Sequence, residues 1–483
     1  MHPYRPNSLC VSSNLLSRVG EERIVHPFDG DGMIKAITFD KGKAWFRNRF
    51  VQTPGYLEEL RQQKVCRRGI FGTAKNMGAW YSNILDVRLK NVANTHVLHW
   101  NNRLFALWEG GKPFELDPVT LETLGGESNL GGTLLAGKDY AAHYKIDSQT
   151  QTVCNFDMSP HLTGPNDGHT MTIMEHDATW QLRYRKDFSL PRFGLSHDTA
   201  ITDSFFVFSQ SPVTFDPKPF VLGQKSVAQC IAWDDSIGKG QFHLLPRGNG
   251  KPISIDIPPA FCFHIANAYE ETEENGDVVV NVDVVMADKI KMTEDLDRYP
   301  KSMIVERFDF TTEMPRFLLS RYRLNASTGK LISVNALGGE GCANLDFPVV
   351  NPTFVGKPYQ FVFCSTSASS KTTMPAQTLA KIDVVSGKMI QKWLPEEHQY
   401  LGEVAFCPRE GSKTEDDGYL VGYLTNGRDA VSEVVVFDAT DIVKGPIAVS
   451  ALRDLLPHAL HGTFVSGLAP ALTDEVKASF ANE

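Results

Sequence analysis

The sequence lacks several features that would assign it quickly to a class of protein. Its 483 residues include eight cysteines but no Cys-x-x-Cys pair, which argues against a zinc ribbon or disulfide framework and suits a reducing compartment. No apolar run approaches the roughly 18–20 residues that a membrane-spanning helix needs. The net charge is −9 and long basic blocks are missing, so nucleic acid is a poor candidate for a partner.

Common catalytic and nucleotide-binding motifs are also missing. The sequence has no Gly-x-Ser-x-Gly, no phosphate-binding Gly-x-x-x-x-Gly-Lys-Ser/Thr and no convincing Gly-x-Gly-x-x-Gly after a strand. Residues 28–32 (Phe-Asp-Gly-Asp-Gly) resemble half a calcium loop but lack the acid that ends such a loop, so we interpret them as a turn. Residues 1–6 lack the basic-then-apolar pattern of a secretory signal. We expect a soluble or peripheral membrane protein of the cytoplasm or plastid.

What the chain has in abundance is β-strand signal. Residues 34–39 and 43–51 flank a turn and predict a hairpin, and residues 97–100 and 103–108 predict another. Helix signals are few, and they fall in the following segments: 54–63, 294–299 and 472–480. No linker rich in proline, glycine and serine divides the chain, so a single domain is expected.

One strand–turn–strand pattern recurs along the chain. It occupies residues 114–125, 322–332 and 380–390, and residues 434–439 match its first half. A strand that ends in Asp-x-x-Thr/Ser-Gly and re-enters a strand is typical of the outer hairpin of a propeller blade, and repeats of about 40–60 residues indicate radial repetition. The pattern favours an all-β propeller, with a large β-sandwich as the alternative.

Four of the fourteen histidines lie in strand-like settings: His143, His197, His264 and His461. The inner strands of a propeller all face one axis, so histidines far apart in sequence can meet there. Four neutral imidazoles that converge would form a metal site. From the residues alone the alternative stays open, because a lone histidine at a strand end is usually structural.

The other histidines are predicted to have ordinary roles. His161, His169 and His176 lie near glycine, proline and asparagine, and we predict surface or turn positions for them. His96 and His99 alternate with apolar residues, as ordinary strand side chains do. His458 is predicted to be a turn residue, with a second metal ligand as the alternative.

An all-histidine site brings no negative charge of its own, so carboxylates are expected to accept the imidazole N–H groups. Three acids inside otherwise apolar strands are candidates: Glu109, Asp346 and Glu403. Each of them could equally be a turn acid at a strand end.

Several motifs, in the same order along the chain, resemble the carotenoid cleavage oxygenases. That family includes apocarotenoid oxygenases, stilbene-cleaving oxygenases and retinoid isomerohydrolases. The motifs begin at about residue 26 and run toward the C-terminus: His-Pro-Phe-Asp-Gly-Asp-Gly-Met at 26–33, Ala-Asn-Thr at 93–95, Leu-Trp-Glu-Gly-Gly-Lys-Pro at 107–113, Phe-Glu-Leu-Asp-Pro at 114–118, His-Asp at 197–198, Asn-Pro at 351–352, Gly-Lys-Pro-Tyr at 356–359, Asp-Asp-Gly-Tyr at 416–419 and His-Gly-Thr at 461–463.

The resemblance implies a fold and a set of site residues. The fold is a seven-bladed β-propeller with helical and loop insertions that form a cap over an axial metal site, built from residues 26–483 after an atypical N-terminal segment, 1–25. Family positions for Fe(II) ligands fall on the four histidines named above. Those for carboxylates behind them fall on Glu109 and Glu403, and on Asp346 where glutamate is usual. Thr95 matches a position whose methyl group hinders one open coordination site.

The resemblance also implies a reaction. It predicts an Fe(II) dioxygenase that uses O2 to cleave a conjugated carbon–carbon double bond of a carotenoid or apocarotenoid into carbonyl products. Stilbene-cleaving relatives resemble each other in a lysine at the position of Trp108, and the apolar ring here favours an apolar polyene. The alternatives are stilbene cleavage and a non-catalytic propeller that binds apolar ligands. Family members extract lipophilic substrates through an apolar patch, so the resemblance is compatible with peripheral membrane contact. Residues 70–81 are a candidate entrance loop, with a buried connection as the alternative.

Overall fold

The computed structural model describes residues 6–13, 18–40, 42–76, 79–161, 168–290, 315–339, 344–368, 377–453, 455–457 and 460–467. In these ranges the only α-helices are α1 (Pro54–Gln62) and the one-turn α2 (Lys218–Val221). The helix predicted for residues 54–63 is confirmed by α1. Thr53 caps the start of this helix, because its hydroxyl accepts a hydrogen bond from the Tyr56 backbone N–H. The helices predicted at 294–299 and 472–480 lie outside the described residues.

Strands dominate the secondary structure of the described chain. The first are β1 (Pro6–Ser13), the short pair β2 (Arg18–Val19) and β3 (Glu22–Arg23), β4 (Gly32–Asp40) and β5 (Lys43–Phe50). Two four-stranded sheets follow: β6 (His96–Trp100), β7 (Arg103–Leu107), β8 (Phe114–Leu116) and β9 (Thr123–Glu127), then β10 (Lys145–Asp147), β11 (Thr152–Pro160), β12 (His169–Asp177) and β13 (Leu182–Leu190).

The next sheets continue in chain order. One contains β14 (Ala200–Ile201), β15 (Phe205–Gln210), β18 (Gly240–Pro246) and β19 (Ile253–Ile257), with β16 (Val213–Phe215) and β17 (Ile231–Trp233) paired separately. Another contains β20 (Phe261–Thr272), β21 (Val278–Ala287), β22 (Leu318–Asn325) and β23 (Lys330–Ala336). The last two contain β24 (Leu345–Val349), β25 (Phe361–Thr366), β26 (Thr378–Asp383) and β27 (Lys388–Trp393), then β28 (Gln399–Pro408), β29 (Gly418–Asn426), β30 (Val431–Asp438) and β31 (Ala448–Ala451).

These six antiparallel sheets are arranged as the blades of a propeller. Most of their first strands contact the first strand of the next sheet: β10 with β14, β14 with β20, β20 with β24, and β24 with β28. The first strands therefore surround one axis, and the later strands of each sheet lie progressively farther out. The prediction of an all-β propeller is confirmed, and the alternative of a β-sandwich is wrong.

A further four-stranded sheet joins the two ends of the described chain. Its order is β32-β1-β4-β5, where β32 is Gly462–Ser466, and β1 pairs with both β32 and β4 in antiparallel register. β32 also contacts β28 on one side and β6 on the other. The segment 1–25 thus contributes a strand to the sheet that connects the first blade to the last.

The core consists of apolar clusters between the faces of neighbouring blades. Val280 and Val282 of β21, for example, pack with Phe242 and Leu244 of β18 in the adjacent sheet, and all four are fully buried. β21 is nearly continuous in valine because both of its faces are covered, whereas the outer strand β23 is largely exposed. Burial on both faces thus explains why the inner strands lack the usual alternation of polar and apolar residues.

The recurring turn predicted from the sequence connects the third and fourth strands of several blades. Asp117, Asn325 and Asp383 each accept backbone N–H groups two or three residues ahead, at distances from 2.7 to 2.9 Å. Gly329 and Gly387 then adopt φ values of 69° and 70°, a region that favours glycine. The predicted outer hairpins are confirmed.

Candidate metal centre

The four histidines predicted to meet do meet at the centre of the propeller. His264 lies within β20, and the others lie just before the innermost strands of their sheets: His143 before β10, His197 before β14 and His461 before β32. One ring nitrogen from each lies within 4.8 Å of those of all the others. The blade topology therefore brings together residues that no short sequence spacing relates.

The nitrogens that face the centre crowd one another. His143 Nε2 and His461 Nε2 are 2.9 Å apart. Each of these rings directs its Nδ1–H to a carboxylate, so each Nε2 carries a lone pair. Two lone pairs at this distance repel unless a cation accepts both.

Carboxylates hold all four Nδ1 atoms. His264 Nδ1 donates to Asp346 Oδ1 at 2.6 Å, and His461 Nδ1 donates to Glu403 Oε1 at 2.9 Å. Glu109 serves two rings at once: Oε1 is 2.8 Å from His143 Nδ1, and Oε2 is 3.1 Å from His197 Nδ1. The carboxylates fix the orientation of each ring and leave Nε2 directed inward.

Asp346 reaches its histidine directly, although its side chain is one carbon shorter than that of glutamate. The strand β24 bulges here: Asp346 lies opposite Ser365 and Val349 opposite Phe363, so three steps on one strand match two on the other. Phe347 takes up the extra residue with φ 50°, and its N–H donates to Asp346 Oδ1 at 2.8 Å. The bulge brings the shorter carboxylate into contact.

The surroundings of His143 and His461 keep these two imidazole rings neutral. Burial, together with the charge of neighbouring imidazoles, lowers the pKa of His143 and of His461 well below the usual value for histidine. Burial alone would also lower the pKa of His197, but the adjacent Glu109 carboxylate raises it overall. Burial raises the pKa of Glu403 to about 7. Neutral imidazole is the form that binds a metal.

The donor set fits a metal ion. His264 Nε2 is buried and has no hydrogen-bond partner among the described residues. Buried polar atoms rarely remain unpaired, so a bound ligand at this point would satisfy it. Four imidazole nitrogens suit iron, copper, nickel or zinc rather than calcium or magnesium. The cluster could therefore bind a transition-metal ion.

A largely apolar cavity of about 300 Å³ opens onto three of the four histidines, His197, His264 and His461. Thr95, predicted to hinder one open coordination site, and Trp108, predicted to face the substrate, both line it. Gly111 makes room for Trp108, since a Cβ at that position would lie 3.0 Å from the indole ring and 2.4 Å from the Asn91 amide nitrogen. Most of the remaining wall is aromatic or aliphatic: Phe28, Ile70, Phe71, Leu195, Phe261, Phe263, Phe317 and Phe347.

Two cavity residues, Ile70 and Phe71, belong to the predicted entrance loop. Asp29 anchors this loop, because its carboxylate accepts the Phe71 N–H at 2.9 Å and the Thr73 N–H at 3.0 Å. The residues interpreted as a simple turn at 28–32 therefore also anchor the wall of the cavity.

Some predictions for the other histidines are wrong. His169 and His176 are fully buried at the two ends of β12, not at the surface, because a nine-residue strand in the middle of a sheet begins at His169. His161 is exposed, as predicted. His458 lies outside the described residues. His96, predicted to be an ordinary strand residue, lies beside the cluster with its ring centroid 5.2 Å from that of His461.

Asp198, which directly follows His197, is buried. It contacts Lys145 and the backbone of Ile265, residues of two other sheets. No signal in the sequence links these positions, because their proximity arises only when the blades assemble.

Comparison with known proteins identifies the family. A model of the family described as retinal pigment epithelial membrane protein matches residues 12–466. The apocarotenoid-15,15'-oxygenase of Synechocystis sp. is 33% identical over 457 residues, which cover 93% of this chain and 88% of that protein. The carotenoid 9,10(9',10')-cleavage dioxygenase 1 of Arabidopsis thaliana is 27% identical, with 91% and 81% covered. A crystal structure of cobalt-substituted Synechocystis apocarotenoid oxygenase superimposes with a TM-score of 0.86 at 32% identity, covering 95% of this chain and 92% of that one.

The chain belongs to the carotenoid cleavage oxygenase family, which includes the retinal pigment epithelial membrane protein. The resemblance inferred from the motifs is confirmed. The chain is accordingly an enzyme of the carotenoid and apocarotenoid cleavage dioxygenase class. Among the described residues, no helix has the length and apolar character needed to cross a membrane.

Proposed function

We propose that this protein is an Fe(II) dioxygenase that uses O2 to cleave a conjugated double bond of a carotenoid or apocarotenoid into two carbonyl products. The observation that carries the proposal is the convergence of four carboxylate-oriented histidines at the end of an apolar cavity. In this proposal His143, His197, His264 and His461 hold the iron. Glu109, Asp346 and Glu403 orient the rings and supply the negative charge that neutral ligands lack.

The chemistry that ferrous iron supplies when bound is the activation of dioxygen toward an electron-rich double bond. The protein's own residues bind and orient the polyene and exclude water. Phe71, Phe263 and Phe347 offer aromatic surfaces to a flat conjugated chain. The Thr95 hydroxyl donates to Asn94 Oδ1 at 3.2 Å, which leaves its methyl group available to narrow the cavity next to the histidines.

The cavity wall favours an apolar substrate over a phenolic one. Trp108 is almost completely buried in the wall, at the position where stilbene-cleaving relatives place a lysine. The lining formed by described residues includes neither lysine nor arginine that could meet a phenol oxygen. A carotenoid or apocarotenoid is therefore the proposed substrate, and stilbene cleavage is the alternative.

We also propose that the sheet β32-β1-β4-β5 acts as a seventh blade, so that residues 26–483 form one propeller domain and the segment 1–25 supplies a strand to it. The contacts of β32 with β28 and β6 support this arrangement, because they fill the gap between the last and first of the six blades.

The surface around the entrance supports peripheral membrane contact. Exposed apolar side chains occur on α1 and on neighbouring segments: Leu57, Leu60, Leu85, Val87 and Leu222. Arg68 binds the carbonyls of Asp86 and Phe220 and so ties two of these segments to the cavity-lining loop. We propose that this patch docks on a membrane that faces the cytoplasm or lies in the plastid, and that the protein takes up its substrate from that membrane. Flotation with liposomes should decrease in a Leu85→Ser/Val87→Ser variant, and unchanged flotation would contradict the proposal.

Iron content and product identity test the proposed reaction. The purified protein should contain iron at close to one equivalent, His197→Ala should lose it, and a surface control, His161→Ala, should retain it. Incubation of the iron-loaded protein with an apocarotenal under O2 should give two shorter carbonyl products, whereas a hydroxystilbene should remain intact. Cleavage of the stilbene alone would establish the alternative substrate. Apolar-ligand binding without iron or cleavage would establish a non-catalytic propeller.

A further inference from the structure

Three of the four histidines are followed within two residues by members of one buried polar cluster. Lys145 comes two residues after His143, and Asp198 directly follows His197. Asp198 Oδ1 accepts a hydrogen bond from Lys145 Nζ at 2.8 Å. Its other oxygen, Oδ2, accepts the backbone N–H of Ile265, the residue after His264, also at 2.8 Å. One carboxylate therefore connects the three strand segments that carry His143, His197 and His264.

The cluster is enclosed by the protein. The side chain of Asp198 is 3% exposed and that of Lys145 is 18% exposed, and neither contributes to the cavity wall. Asp198 Oδ1 also accepts the N–H of Thr199 at 2.7 Å, which fixes the carboxylate on its own strand. Charge-assisted hydrogen bonds of this length in a low-dielectric setting are strong and directional.

The partners of Asp198 distinguish it from a turn or capping acid. Lys145 and Ile265 are 53 and 67 residues away in the sequence and belong to two different sheets. Much of the contact between neighbouring blades is apolar, as in the cluster between β18 and β21. Apolar packing is non-directional and does not by itself fix how far one strand slides along the next. A shared hydrogen-bonded carboxylate does fix that position.

We propose that Asp198 is a positioning residue that sets the register of β10, β14 and β20 along the propeller axis, so that His143, His197 and His264 meet at one height. The inference rests on the proposed metal site and adds to it the device that aligns three of its four ligands. The fourth ligand is positioned separately, because Glu403 accepts both His461 Nδ1 and the Gly462 N–H.

The experiment measures metal binding rather than turnover. Co²⁺ is titrated into the metal-free full-length protein, and both the dissociation constant and the visible absorption of the bound ion are recorded. In Asp198→Asn the ion pair is lost while the side-chain size is kept. We expect about 10- to 100-fold weaker binding, with an altered absorption spectrum because the three ligands no longer align.

A matched control separates alignment from general stability. Glu175 on β12 pairs with Arg247 at 2.8 Å, another buried ion pair between sheets, and does not neighbour a histidine of the cluster. Arg247 also pairs with Asp147 of β10, and Glu175→Gln leaves that second pair in place. Glu175→Gln should lower the thermal unfolding temperature about as much as Asp198→Asn, yet leave Co²⁺ affinity and spectrum unchanged.

Each outcome bears on one conclusion. Wild-type affinity and spectrum in Asp198→Asn would overturn the inference, and so would equal weakening in Glu175→Gln. If Asp198→Asn does not fold, Lys145→Met removes the same ion pair, and the same criteria apply to it. Failure of the wild-type protein to bind the metal would instead reject the proposed function on which the inference rests.

Discussion

Among the described residues, Glu109 is the one carboxylate that accepts hydrogen bonds from two of the clustered histidines. Glu109→Gln tests whether this sharing affects metal binding. Its two oxygens are 2.8 Å from His143 Nδ1 and 3.1 Å from His197 Nδ1. Glutamine has one oxygen and one NH2 group, so it can accept from one ring and must present a donor to the other. The second ring loses its orientation. We expect about 10- to 100-fold weaker metal binding, or about 1.4–2.7 kcal/mol.

Asp346→Asn is the matched control for this substitution. Asp346 Oδ1 alone accepts both His264 Nδ1, at 2.6 Å, and the Phe347 N–H, at 2.8 Å. The single oxygen of asparagine can keep both contacts, so the loss of affinity should stay within a few-fold. Competition titration of the metal-free proteins with Co²⁺ measures both constants, and circular dichroism confirms that both variants are folded. Equal affinities in the two variants would refute the reasoning from the shared carboxylate.

Three further predictions concern stability. Lys90 Nζ lies 2.8 Å from Asp31 and 2.5 Å from Glu59, and all three side chains are buried. Lys90→Met leaves two buried carboxylates without their cation, so it should lower the free energy of unfolding by about 3–5 kcal/mol, as measured by urea denaturation. Phe347→Gly should be about 1 kcal/mol more stable than Phe347→Ala, since glycine tolerates the φ of 50° at this position; the reverse order in thermal unfolding would contradict a strained bulge. Burial lowers the pKa of His243 to about 3, so between about pH 6.5 and 3 the unfolded state binds a proton that the folded state does not. The free energy of unfolding is therefore unaffected by this group above about pH 6.5 and falls by about 2 kcal/mol by pH 5. His243→Gln should flatten this pH dependence, and an unchanged slope would show that His243 does not titrate in this way.

Local features of the fold could be predicted from the sequence because their causes are local. The outer hairpins follow from side chains such as Asp383, which accepts N–H groups two and three residues ahead, and from glycines such as Gly387 in the left-handed region. The helix α1 follows from Thr53 and Pro54 at its start. The outer hairpins and α1 each depend on residues that are close together in the sequence, so the local sequence pattern is enough to predict them.

The positions of the histidines needed more than local pattern. Spacing could not relate His143 to His461, and the family motifs supplied that relation. The sharing of Glu109, the bulge at Phe347 and the contacts of Asp198 could not be predicted, because each depends on distances between strands of different blades. The errors at His169 and His176 have a similar origin: nearby turn-forming residues obscured a strand that is buried by its neighbours.

The sheet that joins β1 to β32 has a consequence for how the protein is made. His461 directly precedes β32, which pairs with β1 from the start of the described chain. A ribosome releases the segments with His143, His197 and His264 first, and about 200 further residues, or roughly 10–40 s of synthesis at typical rates, precede His461. During that interval the nascent chain holds only three of the four imidazoles and an open ring. The four-histidine cluster and the sheet that joins the two ends of the described chain can therefore be completed only after His461 and β32 have been synthesised.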